Sequence, residues 1–341
     1  MNINFLLYSF VIFIFIFFII YRIAIFFNFF DKKELYINNK KIPMIGGLLI
    51  FFTAFFSFFF IHYELSYLII LSIGFLFVVL GIIDDLFEVH PYLRLFIQII
   101  IIYFSLISFN VSFFSSDNIS FFYNSKFIQF FFVLFLLLAS INAFNFMDGS
   151  DGLIASISIS SIISSLFILF RSNVFINFEF YILFLSLILF FMILNFGIFN
   201  LKIYLGNSGS IFLGFIIPFF FINEISGNYN NLFLPVLFCI FLPVFNIVSV
   251  ILIRVLNNKN PFKPDFLHIH HIFSFYGIGR FKIILIFNLL ILLLNYIFFI
   301  FHYFFGNFYS LFFGIILFFI FFSIHLFISK KNDFTSYHNI N

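Results

Sequence analysis

An all-α integral membrane protein, a polytopic helical bundle of about eleven transmembrane helices, is what this chain predicts. Three observations carry that reading. The mean hydropathy is +1.23, with 64% hydrophobic and only 9% charged residues, far more apolar surface than a soluble core needs. Apolar runs repeatedly reach the ~18 residues that suggest a bilayer span. No alternating barrel pattern appears, and a helix satisfies its own backbone in lipid. A single membrane-embedded domain, residues 1–341, is expected.

The runs fall at 5–27, 45–61, 67–83, 93–109, 127–146, 153–170, 176–199, 210–222, 232–253, 281–301 and 308–328. The 73 phenylalanines and the missing tryptophan read as compositional bias, so an interfacial aromatic belt must lean on tyrosine. Cys239 is the lone cysteine and sits inside an apolar run, which excludes a disulfide framework and a cysteine metal site. The first run lacks basic residues before it and a small-residue cleavage site after it; Arg22, Lys32 and Lys33 follow instead. A retained helix is expected rather than a removable signal peptide.

Basic residues set the orientation. With the N-terminus outside, Arg22, Lys32, Lys33, Lys40, Lys41, Arg94, Lys202, Arg254, Lys259, Lys263, Arg280, Lys282, Lys330 and Lys331 fall inside. Those are 14 of the 16 basic residues, leaving Lys126 and Arg171 outside. The same alternation sends four polar clusters to cytoplasmic helix ends, where an active site would face a cytoplasmic substrate. A transport pathway would place polar groups nearer the midplane.

Asp84 and Asp85 close the third run. Neighbouring side chains on a helix point about 100° apart, so the two carboxylates can serve different partners, one a phosphate proton or metal and one a cation. Glu88 and His90 read as surface residues. In Asn142-Ala143-Phe144-Asn145-Phe146-Met147-Asp148-Gly149-Ser150-Asp151-Gly152, a helical continuation would put Asn145, Asp148 and Asp151 near one face. Such carboxylate and amide oxygens suit Mg²⁺, and the glycines let backbone approach a ligand.

Gly206-Asn207-Ser208-Gly209-Ser210 opens the short eighth run, where backbone N–H groups at a helix start favour an anion; Lys202 adds charge. The longest polar interruption contains Pro261, Pro264, His268, His270 and His271. Its spacing is not that of a zinc helix, which argues against zinc; the imidazoles read as hydrogen-bond donors to a diphosphate, with a general acid/base role as the alternative. Lys40 and Lys41 offer further positive charge on this face. His62, His302 and His325 read as packing or interface residues.

These motifs resemble the polyprenyl-phosphate N-acetylhexosamine-1-phosphate transferase family (glycosyltransferase family 4), in particular its undecaprenyl-phosphate N-acetylglucosamine-1-phosphate transferase-like branch. The resemblance spans about residues 40–271, with four separated motifs in the family's order. It implies a bacterial inner-membrane enzyme with a cytoplasmic active site. Such an enzyme transfers a HexNAc-1-phosphate from a UDP-sugar to undecaprenyl phosphate, releasing UMP, with Mg²⁺ or Mn²⁺ and without nucleic acid; a homodimer is compatible with it. It also implies catalytic roles for Asp84, Asp85, Asp148 and Asp151, metal contacts from Asn145, Asn207 and Asp148, and substrate contacts from Lys41, Arg254, His268, His270 and His271. Two departures stand out. Asn207 replaces the family's metal-binding aspartate, and Phe266 replaces a common arginine. They leave a catalytically weakened or altered-sugar relative as an alternative, and the eleven spans leave a lipid-linked-sugar transporter as another.

Overall fold

The computed structural model describes residues 3–31, 41–59, 65–109, 126–174, 178–198, 201–225, 230–260 and 267–331. Lys32, Lys33, Lys40, His62, Lys263 and Phe266, with both prolines of the histidine stretch, lie outside the described residues. The helices are α1 (Ile3–Phe26), α2 (Gly46–Phe58), α3 (Leu65–Phe87), α4 (Pro91–Ser108), α5 (Lys126–Met147) and α6 (Leu153–Arg171). They continue with α7 (Phe178–Asn195), α8 (Gly206–Ile225), α9 (Phe233–Phe238), α10 (Phe241–Leu256), α11 (Ile269–Phe275) and α12 (Arg280–Lys331). Eight of the described helices are long and apolar enough to cross a bilayer, with α2 and α10 shorter apolar helices. The protein is a multi-pass membrane bundle.

Two places depart from straight helices. The run at 232–253 breaks between α9 and α10 at Cys239 and Ile240. Pro243 has no N–H to bond the carbonyl four residues back, and Ser161 Oγ–H donates to that Cys239 carbonyl at 2.7 Å instead. In α12, Gly306 is non-helical (φ 74°, ψ −174°). The Phe301 and Phe313 rings meet at 4.3 Å, although a straight helix would hold them roughly 18 Å apart along its axis. The chain therefore doubles back, giving the two terminal spans read from the sequence.

The bundle is built round α8, which is buried from Ser208 to Ile222 and packs on α2, α3, α5, α6 and α9. Small residues let backbones meet, the packing that membranes favour. Gly47 of α2 abuts the Gly209 backbone, Gly81 of α3 abuts Ser208, and a Cβ on Gly214 would lie 2.8 Å from Ile141 Cα of α5. Deeper in, Phe77 stacks on Phe215 at 4.4 Å. At the far end Tyr67 O–H donates to Glu224 at 2.6 Å.

Three extended segments brace the opposite end. Asp31 N–H donates to the Ile42 carbonyl, Tyr204 N–H to Pro43, and Gly46 N–H back to Tyr204, all at 2.9 Å. This seam fixes the entry of α2 beside the entry of α8, so their polar ends share one face.

Candidate active site

Asp84 and Asp85 stand in the last turn of α3 and diverge as helix geometry requires. Asp84 is 5% exposed. Its carboxylate receives Arg94 Nη1 at 2.7 Å, Asn207 Nδ2 at 3.0 Å and the Val89 N–H at 3.1 Å. Arg94 reaches it because the chain turns at Glu88 (φ 51°) and α4 restarts at Pro91. Asp85 faces α8. Its Oδ1 accepts the Asn207 N–H at 3.1 Å, while Oδ2 is closed from solvent without a hydrogen-bond partner. A Cβ on Gly206 (φ 72°) would lie 2.9 Å from that oxygen, so only glycine gives Asp85 this close approach. The α8 N-terminus, expected to offer its amides to a phosphate, thus gives at least the Asn207 N–H to Asp85.

Asn207 is a bridge. While its Nδ2 donates to Asp84, its Oδ1 accepts Asn145 Nδ2–H at 2.8 Å. Asn145 also donates to Ser210 Oγ at 3.1 Å. One turn earlier on α5, Asn142 donates to Gln98 of α4 at 2.8 Å. Polar ends of α3, α4, α5 and α8 are thereby joined.

The expected helical continuation from Asn145 to Asp151 is corrected. α5 stops at Met147, residues 148–152 form a turn, and Gly152 adopts φ 78° before α6 starts. Left-handed backbone favours glycine and ends the helical path. Asp148 stays half-buried near Asp85 and Asp151; withdrawal from water, with those charges adding, raises its carboxyl to about 8. Asp151 turns towards two cations, Lys202 Nζ at 2.7 Å and Arg280 Nη1 at 2.8 Å.

The histidines meet this turn. His270 is 1% exposed, and neither ring nitrogen has a hydrogen-bond partner. A Cβ on Gly149 would lie 2.8 Å from His270 Nε2 and 3.1 Å from His271 Cε1. The two imidazoles are 4.0 Å apart. Burial, with His271 and His268 alongside, holds the His270 ring well below the usual histidine range. His268 stacks on Phe146 at 5.6 Å and faces Asn246 Nδ2 at 3.3 Å. Asn246 Oδ1 accepts the Ile269 N–H, so its Nδ2–H donates to His268 Nδ1 and the ring proton belongs on Nε2.

Arg254 is buried near the end of α10, about two turns beyond Asn246. Lys41 is exposed on the extended seam, 6.0 Å from the Phe30 ring. Arg94, Gln98, Asn246 and Arg280 were missed as site residues. Asn246 carried a usable signal, being a polar group inside an apolar run; Arg94 and Arg280 looked like orientation charges. Among the described residues, no three of His, Cys, Asp and Glu form a ready metal cage.

Residues 66–225 match the model of "Glycosyl transferase family 4". An undecaprenyl-phosphate alpha-N-acetylglucosaminyl 1-phosphate transferase of Thermotoga maritima is 32% identical over 256 residues, 73% of this chain and 73% of that protein. The Bacillus subtilis probable undecaprenyl-phosphate N-acetylglucosaminyl 1-phosphate transferase is 29% identical, over 74% of this chain and 71% of its own length. An Escherichia coli K12 protein with the same description as the Thermotoga one is 26% identical, over 69% of this chain and 66% of its own length. With its acidic pair, Asn/Asp turn, α8 entry and histidines assembled on one face, this chain belongs to glycosyl transferase family 4, the polyprenyl-phosphate HexNAc-1-phosphate transferases.

Proposed function

We propose that the enzyme transfers GlcNAc-1-phosphate from UDP-GlcNAc to undecaprenyl phosphate at the cytoplasmic face of the bacterial inner membrane. UMP leaves, and the lipid-linked sugar starts an envelope polysaccharide. The observation that carries this reading is the meeting of a partnerless Asp85 oxygen, Asp148 and His270 at one bundle end. The basic asymmetry supports the cytoplasmic assignment, and the relatives' names support the sugar and the lipid.

The donor set fits Mg²⁺, which takes oxygen ligands and shares substrate phosphates rather than requiring an all-protein cage. Asp148 would hold it, with Asn145 able to add its amide oxygen, which leaves Asp85 Oδ2 free; Asn207 Oδ1 already accepts Asn145. Mn²⁺ accepts the same donors. Bound there, the ion would neutralise charge on the reacting phosphates.

The chain's own groups do the rest. Asp85 takes a proton from the lipid phosphate, whose oxygen bonds to the sugar-linked phosphorus while the bond to UMP breaks. Arg254, His268, His270 and His271 hold the sugar diphosphate. Buried and neutral, His270 supplies one N–H donor and one acceptor. Lys202 and Arg280 keep Asp151 fixed, so the turn carrying Asp148 keeps its shape.

A panel of UDP-HexNAc donors with undecaprenyl phosphate tests this, the product being identified by mass. UDP-GlcNAc with Mg²⁺ is expected to release UMP fastest, and Asp85→Asn to lower that rate about 10²-fold or more. Silence with every donor would sink the reading. Asn207 motivates a second reading, a weakened relative; it predicts a silent wild type that Asn207→Asp switches on.

A further inference from the structure

We infer that His325, in the returning half of α12, is a positioning residue that fixes the histidine loop for donor binding. This rests on the donor-binding role proposed above for His268, His270 and His271. His325 is 0% exposed. An imidazole buried in a membrane helix is unfavourable unless its nitrogens are engaged. Both are: Nε2 lies 2.8 Å from the Leu267 carbonyl, and Nδ1 lies 2.5 Å from Ser249 Oγ. A carbonyl only accepts, so the proton on Nε2 donates to Leu267, and in the neutral ring Nδ1 accepts the Ser249 hydroxyl proton. The Asn246 carbonyl, 2.9 Å from Ser249 Oγ, shares that one hydroxyl proton.

Leu267 is the residue immediately before His268 and the start of α11. The next two residues are tied to α10, His268 through Asn246 Nδ2 and Ile269 through Asn246 Oδ1, each at 3.3 Å. Four points therefore fix the loop's return: Leu267 by His325, His268 by Asn246 and Phe146, and Ile269 by Asn246. His325 supplies the anchor from α12, and through Ser249 it shares the α10 turn that carries Asn246. Releasing the Leu267 carbonyl would unseat the start of α11, shifting His270 and His271 against Gly149. Asp85 stands on α3 and Asp148 follows α5, so neither is carried by α11. The effect is expected in donor affinity rather than in the chemical step.

The test separates the two nitrogens. His325→Gln puts an amide N–H near the former Nε2 and keeps the bond to Leu267. His325→Asn, with its shorter amide near the former Nδ1, loses that bond. Expected for His325→Asn is a rise of about tenfold in KM for UDP-GlcNAc with kcat within about twofold, the size of one lost hydrogen bond. His325→Gln should stay near wild type. Hydrogen exchange of the Ile269 amide, measured without substrate, should quicken in His325→Asn and not in His325→Gln. If His325→Asn fails to accumulate, Ser249→Ala should also quicken Ile269 exchange, because it frees the ring. Equal behaviour of the Asn and Gln variants, or unchanged Ile269 exchange in His325→Asn or Ser249→Ala, overturns the inference. A wild type releasing no UMP would refute the proposed reaction, while the exchange result would still decide whether the clamp exists.

Discussion

Asn207 Nδ2 stands 3.0 Å from Asp84 Oδ2, so a neutral amide rather than a cation connects the acidic pair to α8. The other side of the same amide receives Asn145. An aspartate at this position would face Asp84 as a like charge and leave Asn145 to compensate. Asn207→Asp is therefore expected to lower stability by about 2 kcal/mol in EDTA, with Mg²⁺ restoring much of the loss. Thermal midpoints of the detergent-purified protein, with and without the ion, check this; a variant as stable as wild type in EDTA would contradict it.

Arg94 and Asp84 form a 2.7 Å ion pair with side chains 13% and 5% exposed. Removing one member leaves a buried charge exposed to its own desolvation, an effect of about 3 kcal/mol. Arg94→Ala should show a loss near that size, and Arg94→Lys a smaller one, because lysine keeps the charge without the planar fork. The double variant Arg94→Ala/Asp84→Asn should recover part of the stability. Comparing the four thermal midpoints decides whether the pair acts as described.

Asp148 gives a pH signature. Its carboxyl is raised from 3.8 to about 8, so the folded state favours the protonated form. The associated stability is complete below the unfolded value and is lost as pH climbs towards 8. Metal-free protein should lose thermal stability between pH 5 and 8, and Asp148→Asn should flatten that slope. Mg²⁺ added near pH 7.5 should reverse the loss, since it favours the ionised carboxylate. A slope unchanged in Asp148→Asn would assign the effect elsewhere.

Gly149 tests the contact between the acidic turn and the histidines. Alanine there would put a methyl 2.8 Å from His270 Nε2. The ring must move, and Gly149→Ala is expected to weaken UDP-GlcNAc binding by about tenfold with little change in the thermal midpoint. Calorimetric titration of the purified variant reads it directly.

The eleven runs were legible because period and length depend on local composition alone. Even the hairpin at Gly306 was read as two spans, since 302–307 interrupts the greasy pattern with His302, Gly306 and Asn307. The break at Cys239 was not read, because the helix stop required weighing Pro243 against a carbonyl that Ser161 satisfies from another helix. In the site, the convergence of motifs followed from alternation of spans. Partner choice did not. Asp84 finds Arg94 ten residues on, and Asp151 finds Arg280 more than a hundred residues away. His325 resembled packing because its two hydrogen bonds reach residues that only the folded chain brings near.

The backbone contacts of Gly47, Gly81 and Gly214 around α8 divide the molecule into a tolerant shell and an intolerant spine. The bundle accepts bulk on its outer faces, where Phe15, Phe18, Phe104 and Phe135 stand exposed, yet not where two main chains touch. Recoding the outside for expression in another host should therefore be permissive, whereas one added methyl along that spine would part the helices that bring the acidic pair to its amide.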